Sequence, residues 1–223
     1  MSTGTKRAGI AATRAERAVA EALDLVDAGG LEALTMRQLA DRMGLHLPAI
    51  YRLFDGKDAL IDEMAEAILA GAVAKLPAED GDWKGRVRSM AAGLRTALLA
   101  HRDGARIVGG NYAAKRSNLT FVDSLLGGLL ASGLPRKRAI WATSAVFCYV
   151  LGETLEEQGA TGDEVEVLKG VLGARKYVHL EAGPVESMLD FEERFQFGLE
   201  LLLAGIDAWA GRPQSRARIP SRR

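Results

Sequence analysis

The chain has 223 residues, and its 29 basic and 29 acidic side chains give a formal net charge of zero. Apolar residues make up 48% and charged residues 26%, as in ordinary globular proteins, which argues against a disordered or membrane-embedded chain. Any affinity for nucleic acid must therefore come from where charges are placed and not from their total. Its one cysteine, Cys148, cannot form an internal disulfide, and no apolar run has the length of a membrane span or signal sequence, so we expect a cytoplasmic protein without a membrane partner.

The composition predicts helices nearly throughout, because alanine, leucine, glutamate and arginine dominate while only six prolines occur. We expect residues 1–12 to be a disordered basic arm. The first helix is predicted to begin at a capping box formed by Thr13 and Glu16, and to end near Ala28 where Gly29 and Gly30 follow.

A second capping box, Thr35 with Gln38, begins a short helix that Gly44 ends, and Pro48 lies in the first turn of the next helix. The apolar positions of the short helix are predicted to face inward: Met36, Leu39, Ala40 and Met43. Helix, tight glycine turn and helix form a helix-turn-helix, whose second helix lies in the DNA major groove. We therefore assign residues 13–60 to a DNA-binding domain.

The remaining chain is predicted to form a larger helical domain, residues 61–210, followed by a disordered basic tail at 211–223. Its helices are expected at 57–75, 82–101, 104–110, before Gly133, at 135–158, weakly at 165–172, and at 184–209. Two of them, the helix at 135–158 and the last helix, carry apolar residues on more than one face. One face can pack within the subunit, and the second favours a homodimer over the alternative of a single thick monomeric core.

Eight residues are the candidate DNA contacts: Thr35, Arg37, Leu47, Pro48, Ala49, Tyr51, Arg52 and Lys57. The first two begin the helix that crosses the phosphate backbone, and the residues at 47–49 are apolar, which favours contact with thymine methyl groups. The last three suit phosphate contact. Acidic and basic side chains are equal in number over residues 1–60, so a helix-turn-helix with a purely architectural role, in a ligand-binding or scaffolding protein, stays open.

The segment LTMRQLADRMGLHLPAIYRLFDGKDALIDEM (Leu34 to Met64) resembles the helix-turn-helix of the TetR family of repressors. The matching positions are Thr35, Leu39, Ala40, Gly44, Tyr51, Phe54, Lys57 and Leu60, and the turn departs from the family pattern at Leu45 and His46. The segments LLAHRDGARIV, SAVFCYVLGETLEEQ and FQFGLELLLAGI are similar to the tetracycline repressors. The resemblance implies a two-fold dimer built on a four-helix bundle, near-palindromic operator DNA as a partner, and a small-molecule effector.

The resemblance also implies an effector pocket, and its positions in this chain are Val73, Met90, Leu94, Val108, Asn111, Cys148 and Glu156. Val108 stands where the tetracycline repressors have the histidine that binds the drug's magnesium, and of their polar drug contacts only the glutamate at 156 is kept. We therefore expect a largely apolar effector, with no metal and no cofactor. The three histidines are far apart in sequence and no catalytic constellation is present, so we do not expect an enzyme.

Overall fold

The computed structural model describes residues 3–77, 82–110, 116–174, 177, 179, 180 and 183–211. Within these residues the chain forms ten α-helices, two short 3₁₀ turns and no β-strand. The prediction of an all-α fold is confirmed. The predicted tail beyond Gly211 lies outside the described residues.

Three helices form the N-terminal domain: α1 (Thr3–Gly29), α2 (Met36–Met43) and α3 (Leu47–Tyr51). A 3₁₀ turn, Leu31–Ala33, joins α1 to α2 after Gly30, whose φ of 81° lies in the left-handed region that favours glycine. The sequence prediction that α1 starts at Thr13 is wrong, because the helix begins at Thr3 and replaces the expected disordered arm. Alanine-rich sequence with no proline continues a helix readily, which a local capping signal cannot reveal.

Seven further helices complete the chain: α4 (Lys57–Val73), α5 (Trp83–Leu99), α6 (Gly104–Gly109), α7 (Arg116–Leu130), α8 (Arg136–Gly159), α9 (Glu164–Ala174) and α10 (Phe191–Ala210). The last helix was expected from residue 184, but a 3₁₀ turn, Val185–Leu189, comes first. Asp190 then caps α10 by accepting a hydrogen bond from the Glu193 backbone N–H at 3.2 Å. A side-chain acceptor at this position ends the turn and starts the α-helix afresh.

The long helix α4 connects the two halves of the molecule, since it packs against α1 on one side and against α5, α6 and α7 on the other. Its inward residues Leu60, Met64, Ile68 and Leu69 belong to one hydrophobic core that continues from α1 to α10. Movement of helices in the C-terminal half can therefore reach the N-terminal domain through α4.

Helices α8 and α10 bury one face each and expose another. The inward face of α8 consists of Ala139, Thr143, Val146, Val150 and Thr154, and that of α10 of Phe195, Leu199, Leu203 and Ile206. The exposed large apolar residues on the two helices are Ile140, Trp141, Leu155, Phe197, Leu201 and Trp209. The prediction of two apolar faces on each helix is confirmed.

Tyr149 fastens α8 to α10 within the subunit. Its hydroxyl donates to the backbone carbonyls of Phe195 at 2.8 Å and Arg194 at 3.1 Å, and its ring stacks on that of Phe195 with centroids 5.7 Å apart. Gly198 makes this approach possible, because a Cβ there would lie 2.3 Å from the tyrosine oxygen. None of the helices in the described part of the chain is long and apolar enough to cross a membrane.

Candidate DNA-binding and effector sites

The capping box at the start of α2 forms as the sequence predicts. Thr35 Oγ1 accepts a hydrogen bond from the Gln38 N–H at 3.2 Å, and Gln38 Oε1 accepts from the Thr35 N–H at 3.1 Å. These two bonds satisfy backbone donors that the first helical turn leaves free. Thr35 and Arg37 both remain exposed at this end of α2, where the helix dipole favours an anion such as a phosphate.

The turn between α2 and α3 depends on Gly44. Its φ of 65° and ψ of 34° lie in the left-handed region, and its N–H donates to the Asp41 carbonyl at 3.1 Å. The next residue, Leu45, donates to the Ala40 carbonyl at 2.9 Å. This closure sets the angle at which α3 leaves α2, so the glycine fixes the presentation of the recognition helix.

In the recognition helix α3 one residue is fully buried and the others are exposed or partly exposed. Ile50 is fully buried, whereas Leu47, Pro48, Tyr51 and Arg52 are exposed, with half of the Tyr51 side chain accessible. Ala49 is partly buried between them. The exposed residues form a short surface of apolar atoms with one phenol and one guanidinium at its C-terminal end.

Two of the predicted phosphate contacts already have hydrogen bonds within the protein. Lys57 is half-buried, and its Nζ donates to the Leu31 carbonyl at 3.2 Å. Arg52 Nε donates to the Pro48 carbonyl at 3.2 Å, one turn back along α3. Each cation retains further N–H donors, so both can add a phosphate without breaking these bonds.

A polar contact joins the N-terminal domain to the start of α6. Asp27 near the end of α1 accepts from the Arg102 N–H at 2.9 Å and lies 3.0 Å from His101 Nδ1. Asp103 in turn accepts from the Leu31 N–H at 2.6 Å. Together with the lysine bond to the same leucine, these contacts hold the α1–α2 connection between α4 and α6.

The turn between α5 and α6 is held by Gln158 from the C-terminal end of α8. Its Nε2 donates to the carbonyls of Leu98 at 3.0 Å and His101 at 2.6 Å, and its Oε1 accepts from the Ala105 N–H at 3.0 Å. Gly104 is needed in this turn, since a Cβ would lie 2.1 Å from the Leu98 carbonyl oxygen. The amide of Gln158 therefore links α8 to the loop that touches the DNA-binding domain.

Three of the predicted effector positions lie in the interior of the second domain. Met90 and Leu94 on α5 and Val108 on α6 are at most 3% exposed, and Val73 at the end of α4 is partly buried. All four side chains are apolar, so they offer dispersion contacts. Asn111 lies outside the described residues.

Comparison with known proteins gives a match over both halves of the chain. Residues 18–64 match the family model "Bacterial regulatory proteins, tetR family", and residues 76–209 match "Tetracyclin repressor-like, C-terminal domain". The class G tetracycline repressor of Vibrio anguillarum is 35% identical over 193 residues, which cover 85% of this chain and 91% of the relative. The chain belongs to the TetR family.

Solved TetR-family structures share the same fold. A possible TetR-family regulator from Streptomyces coelicolor A3(2) is 41% identical, has a TM-score of 0.79, and the match covers 87% of this chain and 98% of that one. ActR of Streptomyces coelicolor, solved with actinorhodin, is 31% identical with a TM-score of 0.79, and the match covers 89% of this chain and 98% of that one. BioQ of Mycobacterium smegmatis, solved with its double-stranded DNA operator, is 28% identical with a TM-score of 0.66, and the match covers 87% of this chain and 98% of that one.

Membership of the TetR family decides between the two functions that the sequence left open. TetR-family proteins are DNA-binding regulators that act as dimers and respond to small molecules, and the curated relatives are repressors. The predictions of a ligand-responsive transcriptional regulator, a homodimer and a protein that is not an enzyme are thereby confirmed. Large apolar residues on α8 and α10 are exposed in the single subunit.

The residues of this TetR-family member do not fit the magnesium complex of a tetracycline. The side chain at 108 is a buried valine, which offers no metal ligand. Among the described residues, no group of three histidine, cysteine, aspartate or glutamate side chains is placed to hold a metal ion. Magnesium therefore enters no step that we derive for this protein.

Two predicted effector positions do not join the interior set. Cys148 is exposed on the outward face of α8, so the prediction that it lies in the core of its own subunit is wrong, while its part in an effector pocket stays a prediction. Helical periodicity places it with Trp141 and away from the inward residues Val146 and Val150. Glu156 is also exposed, and it lines a separate groove of about 450 Å³ with Arg194 and α9 residues, so it is not grouped with Met90 or Val108 within one subunit.

Sequence reasoning missed the residues that connect the elements. The sequence assigned no role to Gln158, Asp103 or Asp27, because each bonds to a residue more than 50 positions away. The one signal was the similarity of HRDGARIV and LEEQ to the tetracycline repressors. That similarity marked the segments without showing that they touch.

Proposed function

We propose that this protein is a cytoplasmic repressor that binds a near-palindromic operator as a homodimer and is released by a largely apolar, magnesium-independent small molecule. The observation that carries the DNA half is the exposed surface of α3, held at a fixed angle by the left-handed Gly44. The observation that carries the effector half is the buried apolar interior around Met90, Leu94 and Val108.

The proposed DNA contacts lie at the exposed start of α2, along α3 and at the start of α4. Leu47, Pro48 and Ala49 begin the recognition helix and are proposed to meet base edges through their apolar atoms. Thr35, Arg37, Tyr51, Arg52 and Lys57 are proposed to contact phosphates, which position the helix without reading the sequence. Because α3 has so few hydrogen-bonding groups directed at the bases, we expect it to recognise DNA through thymine methyl contacts and DNA shape.

The effector class follows from what the interior lacks. The tetracycline repressors' magnesium ligand is replaced by Val108, and relatives bind chemically different compounds, since ActR has been solved with actinorhodin and another TetR with minocycline. An apolar interior without metal ligands selects molecules that gain affinity by burial of carbon surface.

An electrophoretic mobility shift with the DNA upstream of the protein's own gene tests the DNA half. Replacing Ala49 with glutamate places a carboxylate against the DNA and should abolish binding, whereas the same change at the exposed α4 residue Ala67 should leave it intact. Tyr51→Phe removes one hydroxyl contact and should weaken binding by about two- to tenfold. Operator binding by Ala49→Glu at wild-type affinity would show that another surface meets the DNA.

A thermal-shift screen with and without EDTA tests the effector half. An effector that favours the DNA-incompetent form by about 1–3 kcal/mol should weaken operator binding by roughly 5- to 150-fold, and operator DNA must weaken effector binding by the same factor. Both effects should survive chelation of magnesium. Induction by a tetracycline that vanishes in EDTA would contradict the proposed effector class.

A further inference from the structure

Thr154 is a fully buried polar residue on the inward face of α8. Its side chain is 0% exposed, and its Oγ1 has no hydrogen-bond partner in the structure. A buried hydroxyl without a partner is costly, and in native proteins such a group usually meets a water, an ion or a ligand. The position of Thr154 therefore needs an explanation that packing alone does not supply.

Threonines elsewhere in α8, α5 and α7 behave differently. Thr143, also buried on α8, returns its hydroxyl to the Ala139 carbonyl at 2.9 Å, and Thr96 and Thr120 donate to the carbonyls four residues before them at 2.8 Å and 2.7 Å. This local bond is open to any threonine within a helix. Thr154 does not make it, so its hydroxyl is presented to the interior and not to its own backbone.

The neighbours of Thr154 place it where α8 meets α6. One turn after it, Gln158 accepts from the Ala105 N–H at the start of α6. One turn before it, Leu151 lies 3.9 Å from the Cβ position of Gly109 at the end of α6. Thr154 lies between these two contacts on the same side of α8, the side that packs against α6.

We propose that the Thr154 hydroxyl is the hydrogen-bonding anchor of the effector site, and that the effector carries a hydroxyl or carbonyl oxygen directed at it. The inference rests on the proposed function, because it assumes that the effector enters the interior beside α6. A hydroxyl both donates and accepts, so it matches either group. The effector is thus an apolar molecule with one oxygen at a defined end.

Occupation of this site would act on the loop that touches the DNA-binding domain. Thr154 and Gln158 lie one turn apart on α8, and Gln158 holds the α5–α6 turn whose Asp103 bonds to Leu31. An effector oxygen bound at Thr154 lies against α6 and can displace it relative to α8. The Thr154 hydroxyl therefore determines which molecules bind and which part of α6 they contact.

Binding of a matched pair of probes, 1-naphthol and naphthalene, to the full-length protein tests the anchor. The pair differs by one hydroxyl, so the ratio of their affinities isolates it. Thr154→Val should lower the preference for 1-naphthol by about two- to tenfold relative to wild type. Thr154→Ser keeps the hydroxyl and should retain the preference, and Thr143→Val makes the same change at a hydroxyl that is already bonded, so it should also retain it.

Thermal unfolding of the ligand-free proteins provides a second measurement. Thr154→Val removes an unpartnered buried hydroxyl at nearly constant volume, so it should raise Tm by about 2–6 °C, while Thr143→Val should not raise it. A lower Tm for Thr154→Val would show that the hydroxyl has a partner in the empty protein, and would overturn the anchor.

The binding outcomes separate this inference from the proposed function. An unchanged preference in Thr154→Val, with both probes still bound, would overturn the anchor and leave the apolar effector site standing. Failure of both probes to bind the wild-type protein would overturn the apolar site, and the anchor with it. Neither result would alter the operator-binding measurements on Ala49→Glu.

Discussion

Replacing Gln158 with alanine should destabilise the protein through the α5–α6 turn. The change removes three hydrogen bonds, to Leu98, His101 and Ala105. The two carbonyls accept from other backbone groups as well, so each loses about 0.5–1 kcal/mol. The Ala105 N–H belongs to a residue only 3% exposed and has this glutamine as its acceptor, so leaving it unpaired costs about 1–2 kcal/mol.

These contributions sum to about 2–4 kcal/mol, which should lower Tm by roughly 5–15 °C in a chain of this size. Calorimetry or circular dichroism in the absence of effector measures the shift. The matched control is Gln196→Ala, because Gln196 is exposed and its amide donates to Glu192, one turn away. That change should alter stability by less than about 0.5 kcal/mol.

A charge variant at the same position sharpens the test. In Gln158→Glu a carboxylate would face the Leu98 and His101 carbonyls, which repel it, so burial and these dipoles should raise the pKa of the introduced carboxyl. A raised folded-state pKa means that stability is present at low pH and is lost as pH rises through that pKa. The variant should therefore approach wild-type stability near pH 4 and fall below Gln158→Ala at pH 8. Equal stability of wild type and Gln158→Ala would refute the role assigned to this amide.

Three further changes test other contacts. Gly104→Ala forces a Cβ to within 2.1 Å of the Leu98 carbonyl oxygen and should abolish folding at 37 °C. The control Gly71→Ala, in α4, meets open space and should raise the free energy of unfolding by about 0.5–1 kcal/mol. Urea titration of both variants measures the two effects. Burial first, then Glu153, raises the pKa of Tyr149 to about 12, so stability should fall as pH rises from about 10 to 12, and Tyr149→Phe should lack that part of the fall in an alkaline titration. Phe197→Glu puts a charge on the outward face of α10, where the phenylalanine is 67% exposed, and should yield monomers by sedimentation at micromolar concentration without lowering helix content. In footprinting, the wild-type dimer should protect a near-palindrome whose half-sites are about 34–36 Å apart. A single protected half-site would contradict that arrangement.

The parts of the fold that the sequence predicted are those with local signals. The Thr35 capping box, the Gly44 turn and the inward residues of α2 all depend on contacts within a few positions. The paired apolar faces of α8 and α10 were also readable, because helical periodicity separates them. The wrong start of α1 at Thr13 has the same origin, since a local cap motif cannot exclude a helix that continues through it.

The candidate sites were less predictable because their residues come from distant segments. Consecutive residues of an α-helix point about 100° apart, so a small rotation of α8 decides whether Cys148 is buried or exposed. An apolar helix sequence does not reveal which of its two faces is turned inward. The hydroxyl of Thr154 is unremarkable in sequence, and only its lack of a partner in three dimensions distinguishes it from Thr143. Tertiary bonds such as Asp103 to Leu31 have no local pattern at all.

The double attachment of Leu31 bears on how such regulators can be recombined. Its N–H is held by Asp103 of the C-terminal half, and its carbonyl by Lys57 at the start of α4. A hybrid that joins this N-terminal domain to another effector domain would keep the lysine bond but lose the aspartate unless the new partner supplies an acceptor at the same place. Grafts that carry residues 101–103 along with the donor helices would preserve both attachments and, through Asp27, the orientation of α1. The junction suitable for exchanging sensor modules is therefore defined by this three-residue loop as much as by the point at which the chain passes from one domain to the other.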